Sequence, residues 1–570
     1  MKIKIILIVI LFLPSLIFCD TFASRIKITN PNGSIFDGNF KDGTLAAINY
    51  ILNDTADNVI IKIVDEATNS AVVTINAGKQ IPGKNNIIWD GTGSVTNKKY
   101  FAQVTTNRKT YSSTKYSCFS FVKTYETKAI YTRGVDANKI LNHPSFGYIY
   151  AANSDASDER LKTGILRFNS DITYAGSDTD HPILLNTLGN ANIGGTIDWG
   201  STAPWYSTLD NAGRIFATSN SGGKIFKMST DTSTPKVVAK NISQPRGIAA
   251  FGAGNNFRLF IAADTIVLRA QFVGDDTATS IDTIAKLSNY VRDVIIDDEG
   301  NLIAALRAGV TGGAGIAVEK YSLSGQLPVR RINAVWSVSF GTGGSPIGLA
   351  LKRGSNLSSA DDDTLYVSVR GASGTDTLNI GVHEITSLNG FFPEAKLIFK
   401  PALFPGSIGG NISTNADLTV DYAGNIILFE NGNEEIFSIA PPNSTSTRAI
   451  TTRSYGSVTV NISSNIGKEN IVPTKFVLHQ NFPNPFNPTT TINFSSINSA
   501  KVKIIIYDVL GNEVCKLYDS EISEGNHSVV WNGKGNNNES VSSGIYFYNL
   551  IANSKSNTPV TISKSMILMK

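Results

Sequence analysis

The sequence is poor in cysteine, histidine and charge. Of 570 residues, three are cysteine and five are histidine. Cys19 lies in the apolar N-terminal stretch, and Cys118 and Cys515 are far apart. An exported protein stapled by disulfides would carry more pairs, so both read as core thiols and the fold rests on apolar burial. Charged residues make up only 17% of the chain, with a net charge of +4 and no dense block of Lys or Arg. That removes any electrostatic case for nucleic acid or an anionic membrane. Beyond the N-terminus no apolar run reaches the roughly 18–20 residues of a spanning helix, so the mature chain is expected to have no transmembrane segment. His143, His181, His383, His479 and His527 show neither metal-ligand spacing nor a nucleophile motif. Gly312-Gly313-Ala314-Gly315 and Gly341-Thr342-Gly343-Gly344 lack the Lys-Ser/Thr that a phosphate loop needs.

What remains is rich in Gly, Asn, Ser, Thr and β-branched residues, a balance that favours strands and turns. The length implies several domains. Lys2 and Lys4 precede the apolar run Ile5 to Leu13 and Pro14. A basic start, a short apolar core and nearby small residues mark a secretory signal peptide over residues 1–23, cut after Cys19 or Ala23. Bulky Phe18 argues against a lipid-anchored reading of Cys19. The chain is therefore expected to be exported, either secreted or held at the outer cell surface.

Two distant segments read alike. Ile48-Asn49-Tyr50, Val59 to Asp65, Trp89-Asp90-Gly91 and Tyr100 to Val104 are echoed by Ile492-Asn493-Phe494, Val502 to Asp508, Trp531-Asn532-Gly533 and Gly544 to Tyr548. The interval from Asp65 to Trp89 differs by one residue from that between Asp508 and Trp531. Each segment predicts a small β-sandwich with its Trp in the core, one over residues 24–124 and one over 473–570.

The second copy carries a resemblance. Asn481-Phe482-Pro483-Asn484-Pro485-Phe486-Asn487-Pro488, Ile506-Tyr507-Asp508, Ser543-Gly544-Ile545-Tyr546-Phe547-Tyr548 and the tail Lys564 to Lys570 closely resemble the type A C-terminal sorting domain of bacterial type IX secretion. The resemblance implies delivery by that machinery, and either release or attachment to surface polysaccharide. Asn481, Pro483, Asn484, Pro485, Phe486, Asn487, Pro488, Gly544, Tyr546, Lys564 and Lys570 would carry the sorting signal. The first copy resembles the Ig-like domain associated with flagellar hook-capping proteins, which implies a spacer or propeller-docking module and nothing about flagella.

Residues 125–450 hold a weak repeat, followed by a linker over 451–472. Asp210-Asn-Ala-Gly213-Arg214-Ile215, Asp297-Asp-Glu-Gly300-Asn301-Leu302 and Asp421-Tyr-Ala-Gly424-Asn425-Ile426 each precede a strand, a turn and another strand. With degenerate copies this gives about six units of uneven length. The expected fold is therefore all-β: a six-bladed or, alternatively, seven-bladed β-propeller flanked by two Ig-like sandwiches. The blades resemble NHL-like and gluconolactonase-like propellers, some of which hold a divalent cation at the channel mouth. Asp136, Asp198, Asp293, Asp417 and Asp421, with Arg246 and Arg292, are the candidates, and their oxygens would suit Ca²⁺. Asp210, Asp297 and Asp421 are explained by turns, and Asp361-Asp362-Asp363 lacks the alternating spacing of a calcium loop. No enzyme signature survives. The expectation is a binding platform for a glycan, peptide or protein, without a cofactor; the alternative is a secreted cation-dependent hydrolase or lactonase.

Overall fold

The computed structural model describes residues 21–40, 44–109, 116–123, 132–154, 164–173, 184–187, 204–228, 235–274, 277–287, 289–307, 317–340, 344–356, 359–371, 380–403, 416–430, 435–442, 447–461, 476–478, 481, 486–496, 499–523, 525–554 and 560–569. They are strands, turns and three short 3₁₀ segments. No helix among them is long and apolar enough to cross a membrane. The chain divides into two compact units, residues 1–39 with 45–461, and residues 462–570 with 40–44. The expected signal peptide lies outside the described residues, save its last three.

The first unit contains a ring of six sheets. Their innermost strands are Thr132–Ala137, Ser207–Leu209, Pro245–Phe251, Val291–Ile296, Gly344–Lys352 and Ala416–Val420. Each innermost strand adjoins those of its two neighbours, so the ring is closed. Second strands such as Ile215–Ser219, Leu302–Leu306 and Ile426–Glu430 are buried at every position. Packing on both faces explains why the repeat reads as continuous apolar runs rather than alternation. The expected all-β propeller is present, with six blades among the described residues.

Closure of the ring corrects one boundary. Ser117–Lys123, expected in the first sandwich, is the outer strand of the sixth blade, antiparallel to Glu435–Ala440. The sixth blade thus takes three strands from one end of the propeller segment and one from the other. Hydrogen bonds within one sheet lock the circle, where a sequence-contiguous blade would leave two open edges.

A second correction concerns residues 447–460, expected as the end of the propeller and the start of a linker. Thr447–Arg453 and Val458–Val460 both pair with Lys98–Lys109 of the first sandwich. That sandwich therefore has one sheet of Ala23–Thr29, Ala46–Leu52 and Gly83–Trp89. The other contains Ser70–Gln80, Ala56–Asp65, Lys98–Lys109 and the two returning strands. The C-terminal sandwich repeats the plan. Val477–Leu478, Thr490–Ser496 and Gly525–Trp531 form one sheet; Glu513–Ile522, Ala500–Tyr507, Gly544–Ser554 and Val560–Leu568 form the other. Thr447–Arg453 occupies the place that Val560–Leu568 holds in the second copy. The propeller is an insertion between Lys98–Lys109 and the returning strand Thr447–Arg453 of the first sandwich.

The duplication extends to side chains. Trp89 and Trp531 are each 1% exposed. Each indole N–H donates to the carbonyl three residues on, Thr92 at 3.1 Å and Lys534 at 2.8 Å. Each ring meets a tyrosine edge-on, Tyr100 and Tyr546 respectively. Core packing accounts for both tryptophans.

Candidate functional site: the propeller channel and its two ends

Each innermost strand runs from one end of the channel to the other, and the sequence repeats where it passes the middle. Arg133-Gly134-Val135-Asp136, Arg246-Gly247-Ile248 and Arg292-Asp293-Val294 place an arginine at one end, with Gly or Asp next. The pairing register slips between Thr132 and Gly134, Pro245 and Ile248, Val291 and Asp293, and Pro346 and Gly348. These bulges twist the strand starts and turn side chains into the channel.

The aspartates at this level join blades. Val135 N–H donates to Asp417 Oδ2 at 2.7 Å, Leu209 N–H to Asp136 Oδ2 at 2.8 Å, and Leu349 N–H to Asp293 Oδ2 at 2.8 Å. Thr419 donates its hydroxyl to Asp136 Oδ1 at 3.1 Å. Glycines make room for them: a Cβ on Gly348 would stand 2.1 Å from Asp417 Oδ1, and one on Gly247 would stand 2.3 Å from Asp293 Oδ1. A hydrogen bond to a neutral carboxyl contributes about 0.5–1.5 kcal/mol and one to an ionised carboxyl about 1.5–3 kcal/mol, so these residues act as couplers of adjacent blades.

Their protonation follows from burial. Burial lifts Asp293 to about 7, against the pull of N–H donors from Leu349 and Val294, with Asp136 adding repulsion. Asp417 is raised well above the ordinary carboxylate range, first by burial and then by the charge of Asp293. Its Oδ1 is buried without a hydrogen-bond partner, an arrangement suited to a neutral carboxyl. Among the described residues no three His, Cys, Asp or Glu side chains come together to hold a metal ion. The calcium expectation therefore finds no set of ligands among these aspartates.

Asp421 stays in its turn. Ala423 and Asn425 N–H donate to its Oδ1 and Asn425 Nδ2 to its Oδ2. Asp210 and Asp297 are held in the same way. So is Asp508 in the C-terminal sandwich, with Gly511 at φ 84°. Recurrence of the Asp-x-x-Gly turn in two folds marks it as hairpin chemistry, where Gly supplies the positive φ. Asp362 accepts from Ser355 and Asn356 N–H within its loop. Asp198 lies outside the described residues.

At the turn-bearing end the channel opens into a cavity of about 510 Å³, floored by Asp136, Asp293 and Asp417 and rimmed by Lys139, Lys352 and Arg353. Tyr206, 4% exposed, also lines the floor and lies close enough to Arg246 and Arg292 to feel their charge. Those arginines belong to the opposite end. Arg292 is 6% exposed; burial, then repulsion from Arg246, Arg370 and Arg307, lowers it to about 10, with Tyr206 opposing. Arg246 lies over Trp205 at 5.1 Å and Tyr290 at 5.8 Å, and its Nε is buried without a hydrogen-bond partner. Arg133 lies 4.1 Å from Trp205. Sequence reasoning singled out Arg246 and Arg292 but not Arg133, Arg307 or Arg370. The repeated Arg-Gly/Asp-apolar triplet at strand starts was a signal for the first of these.

The histidines take structural places. His383 is buried against Phe340, and burial lowers it to about 4. His143 Nδ1 lies 2.8 Å from Ser145 Oγ, but Ser145 is buried and also accepts from Asn138 Nδ2. His181 lies outside the described residues.

The expected sorting residues divide between core and surface of the C-terminal sandwich. Asn481 is buried, its N–H donating to Tyr548 Oη at 2.7 Å and its Nδ2 to Thr490 Oγ1 at 3.0 Å. Phe486 packs on Trp531 with ring centres 5.5 Å apart, and Tyr546 closes the other side at 5.3 Å. Asn487 and Pro488 lie in the bend after Phe486. Gly544 is exposed at a strand start, and Lys564 is half-buried in the edge strand. Pro483, Asn484, Pro485 and Lys570 lie outside the described residues.

The FlgD Ig-like domain family matches residues 484–556. The match falls on the C-terminal copy, whereas the flagellar hook-capping resemblance was expected on the N-terminal one. The shared plan of the two sandwiches explains the shift, since both carry the Trp-Asx-Gly corner. No curated protein matches the chain. Among solved structures, virginiamycin B lyase from Staphylococcus aureus is 14% identical, with a TM-score of 0.33 over 57% of this chain and 100% of that one. PorZ, a surface component of the type-IX secretion system of Porphyromonas gingivalis, is 12% identical, with a TM-score of 0.32 over 93% of this chain and 59% of that one. Hydrazine synthase from Kuenenia stuttgartiensis is 12% identical, with a TM-score of 0.34 over 54% of this chain and 76% of that one. At these scores the likenesses do not bear on activity, and the propeller stands on its own ring of sheets.

Proposed function

We propose that this is an exported protein, secreted or held at the outer surface, whose propeller is a platform for binding a glycan, peptide or protein. The observation that carries the reading is the division of the channel. Its carboxyls are tied between blades by backbone N–H donors, and among the described residues no three His, Cys, Asp or Glu side chains gather to hold a metal ion. Its other end gathers arginines beside Trp205 and Tyr290. Buried cations flanked by aromatic faces favour an anionic group on the ligand. A rigid ring presenting such a mouth suits non-covalent recognition. Binding of acidic over neutral members of a glycan and peptide array is the expected result, weakened by Arg307→Gln. Equal binding of neutral members, or none at all, would count against the platform.

Delivery by type IX secretion is proposed from the motif run Asn481 to Pro488, with Gly544, Tyr546, Lys564 and Lys570. Its partner is the type IX machinery, with surface polysaccharide as the possible attachment. Deleting Val472–Lys570 is expected to leave the protein in the periplasm; normal surface delivery of the shortened chain would refute the route.

A further inference from the structure

A second cavity, of about 510 Å³, lies where the first sandwich meets blade one. It is built from Arg25, Lys27, Tyr148, Arg167, Arg453 and Tyr455, with apolar and small residues between them. Four cations line it, and among the described residues no Asp or Glu does.

The sequence and the bulge explain how the charges meet. The register between Ala23–Thr29 and Ala46–Leu52 slips between Ser24 and Lys27. Arg25 sits in that slip at φ 53°, a left-handed conformation that costs a non-glycine residue free energy. The bulge carries Arg25 across to the propeller. Its guanidinium lies 4.1 Å from the Tyr148 ring centre, and Nη1 donates to the Pro144 carbonyl. Arg167 lies 4.5 Å from the same ring. Two guanidinium groups therefore share one tyrosine. Lys27 stands close enough to be pushed down in pKa, first by desolvation and then by Arg25 and Arg167. Arg453, on the returning strand Thr447–Arg453, lies 3.8 Å from the Phe101 ring, and its Nε is buried without a hydrogen-bond partner.

Like charges gathered in a concave, partly buried site cost free energy unless something neutralises them. The Arg25–Tyr148 and Arg453–Phe101 stacks offset part of that cost but cancel no charge. Serines and backbone groups around the cavity supply neutral hydrogen-bonding atoms, and the volume is that of a small-molecule pocket.

We infer that this junction cleft binds a small polyanion, a ligand of disaccharide size or less bearing phosphate, sulfate or carboxylate groups, held by Arg25, Lys27, Arg167 and Arg453. The inference uses none of the channel residues and stands apart from the platform reading. Because Arg25 comes from the sandwich, Arg167 from blade one and Arg453 from the returning strand, the ligand would bridge all three.

Isothermal titration of the full chain with pyrophosphate, and separately with a sulfated and a carboxylated disaccharide, tests it. At least one probe is expected to bind, and the arm that responds identifies the anionic group. Raising salt from about 20 to about 200 mM is expected to weaken binding severalfold. Arg453→Gln is expected to weaken it roughly tenfold, the loss of one charge-assisted contact, and Lys27→Glu, which reverses the charge at an exposed position, at least as much. Thermal melting of each variant separates lost binding from lost fold. No binding of any probe by the folded wild type overturns the inference, as does binding that Lys27→Glu and folded Arg453→Gln leave intact.

Discussion

Replacing Asp293 by asparagine removes a titrating group from the middle of the ring while keeping an acceptor for Leu349 N–H. Asp293 is 5% exposed, Asp136 repels it, and its own charge acts on Asp417 and Tyr206. Burial raises its carboxyl from 3.8 to about 7. A carboxyl raised in the fold holds a proton that the unfolded chain has already released, so stability falls as pH rises from about 4 to about 7. Above pH 5 roughly two pKa units of that shift remain, or about 2.7 kcal/mol. For a unit of more than about 400 residues the entropy of unfolding makes that a drop of about 3 °C in melting temperature. Melting curves of wild type and Asp293→Asn at pH 5 and pH 8 read it directly. Wild type is expected to lose about 3 °C more than the variant, because asparagine does not titrate. Equal losses in the two proteins, or a wild type that gains stability over this interval, would refute the buried-proton account.

Gly348→Ala places a methyl 2.1 Å from Asp417 Oδ1 and 3.0 Å from its Cα. A cost of about 2–3 kcal/mol is expected, read as a lower urea midpoint; an unchanged midpoint would mean the blades can separate there. A chain ending before Thr447 lacks the strands that pair with Lys98–Lys109, so Trp89 is expected to become exposed to quenchers and the sandwich to protease. Trp89 fluorescence identical to that of the full chain would contradict the insertion topology. Trp531→Ala empties the core shared with Phe486 and Tyr546, at about 3–5 kcal/mol. Calorimetry should show this loss in the unit that holds residues 462–570, with the transition of the other unit unmoved.

The apolar runs, the paired Trp-Asx-Gly corners and the Asp-x-x-Gly turns were legible because each is a local pattern. A turn needs Asp and a positive-φ Gly a few residues apart, and a strand buried on both faces needs only its own side chains. The two misplaced strands were illegible for the opposite reason. Ser117–Lys123 and Thr447–Arg453 have ordinary strand sequences, and their partners lie across the whole propeller insertion. The channel aspartates show the same limit at the site. Their positions at strand starts could be read, but their acceptance of N–H groups from the next blade exists only once the ring closes.

The sequence by itself determined the all-β composition, the repeated blade, the duplicated sandwich and the turns, since each follows from residues close along the chain. Only the tertiary structure decided that six blades close by a strand borrowed from the N-terminal side, and that the propeller interrupts a sandwich. It alone brought Arg25, Arg167 and Arg453 around one cavity. Those outcomes depend on which distant edges satisfy one another's hydrogen bonds and on which charges burial forces together, and neither is written in any local run of residues.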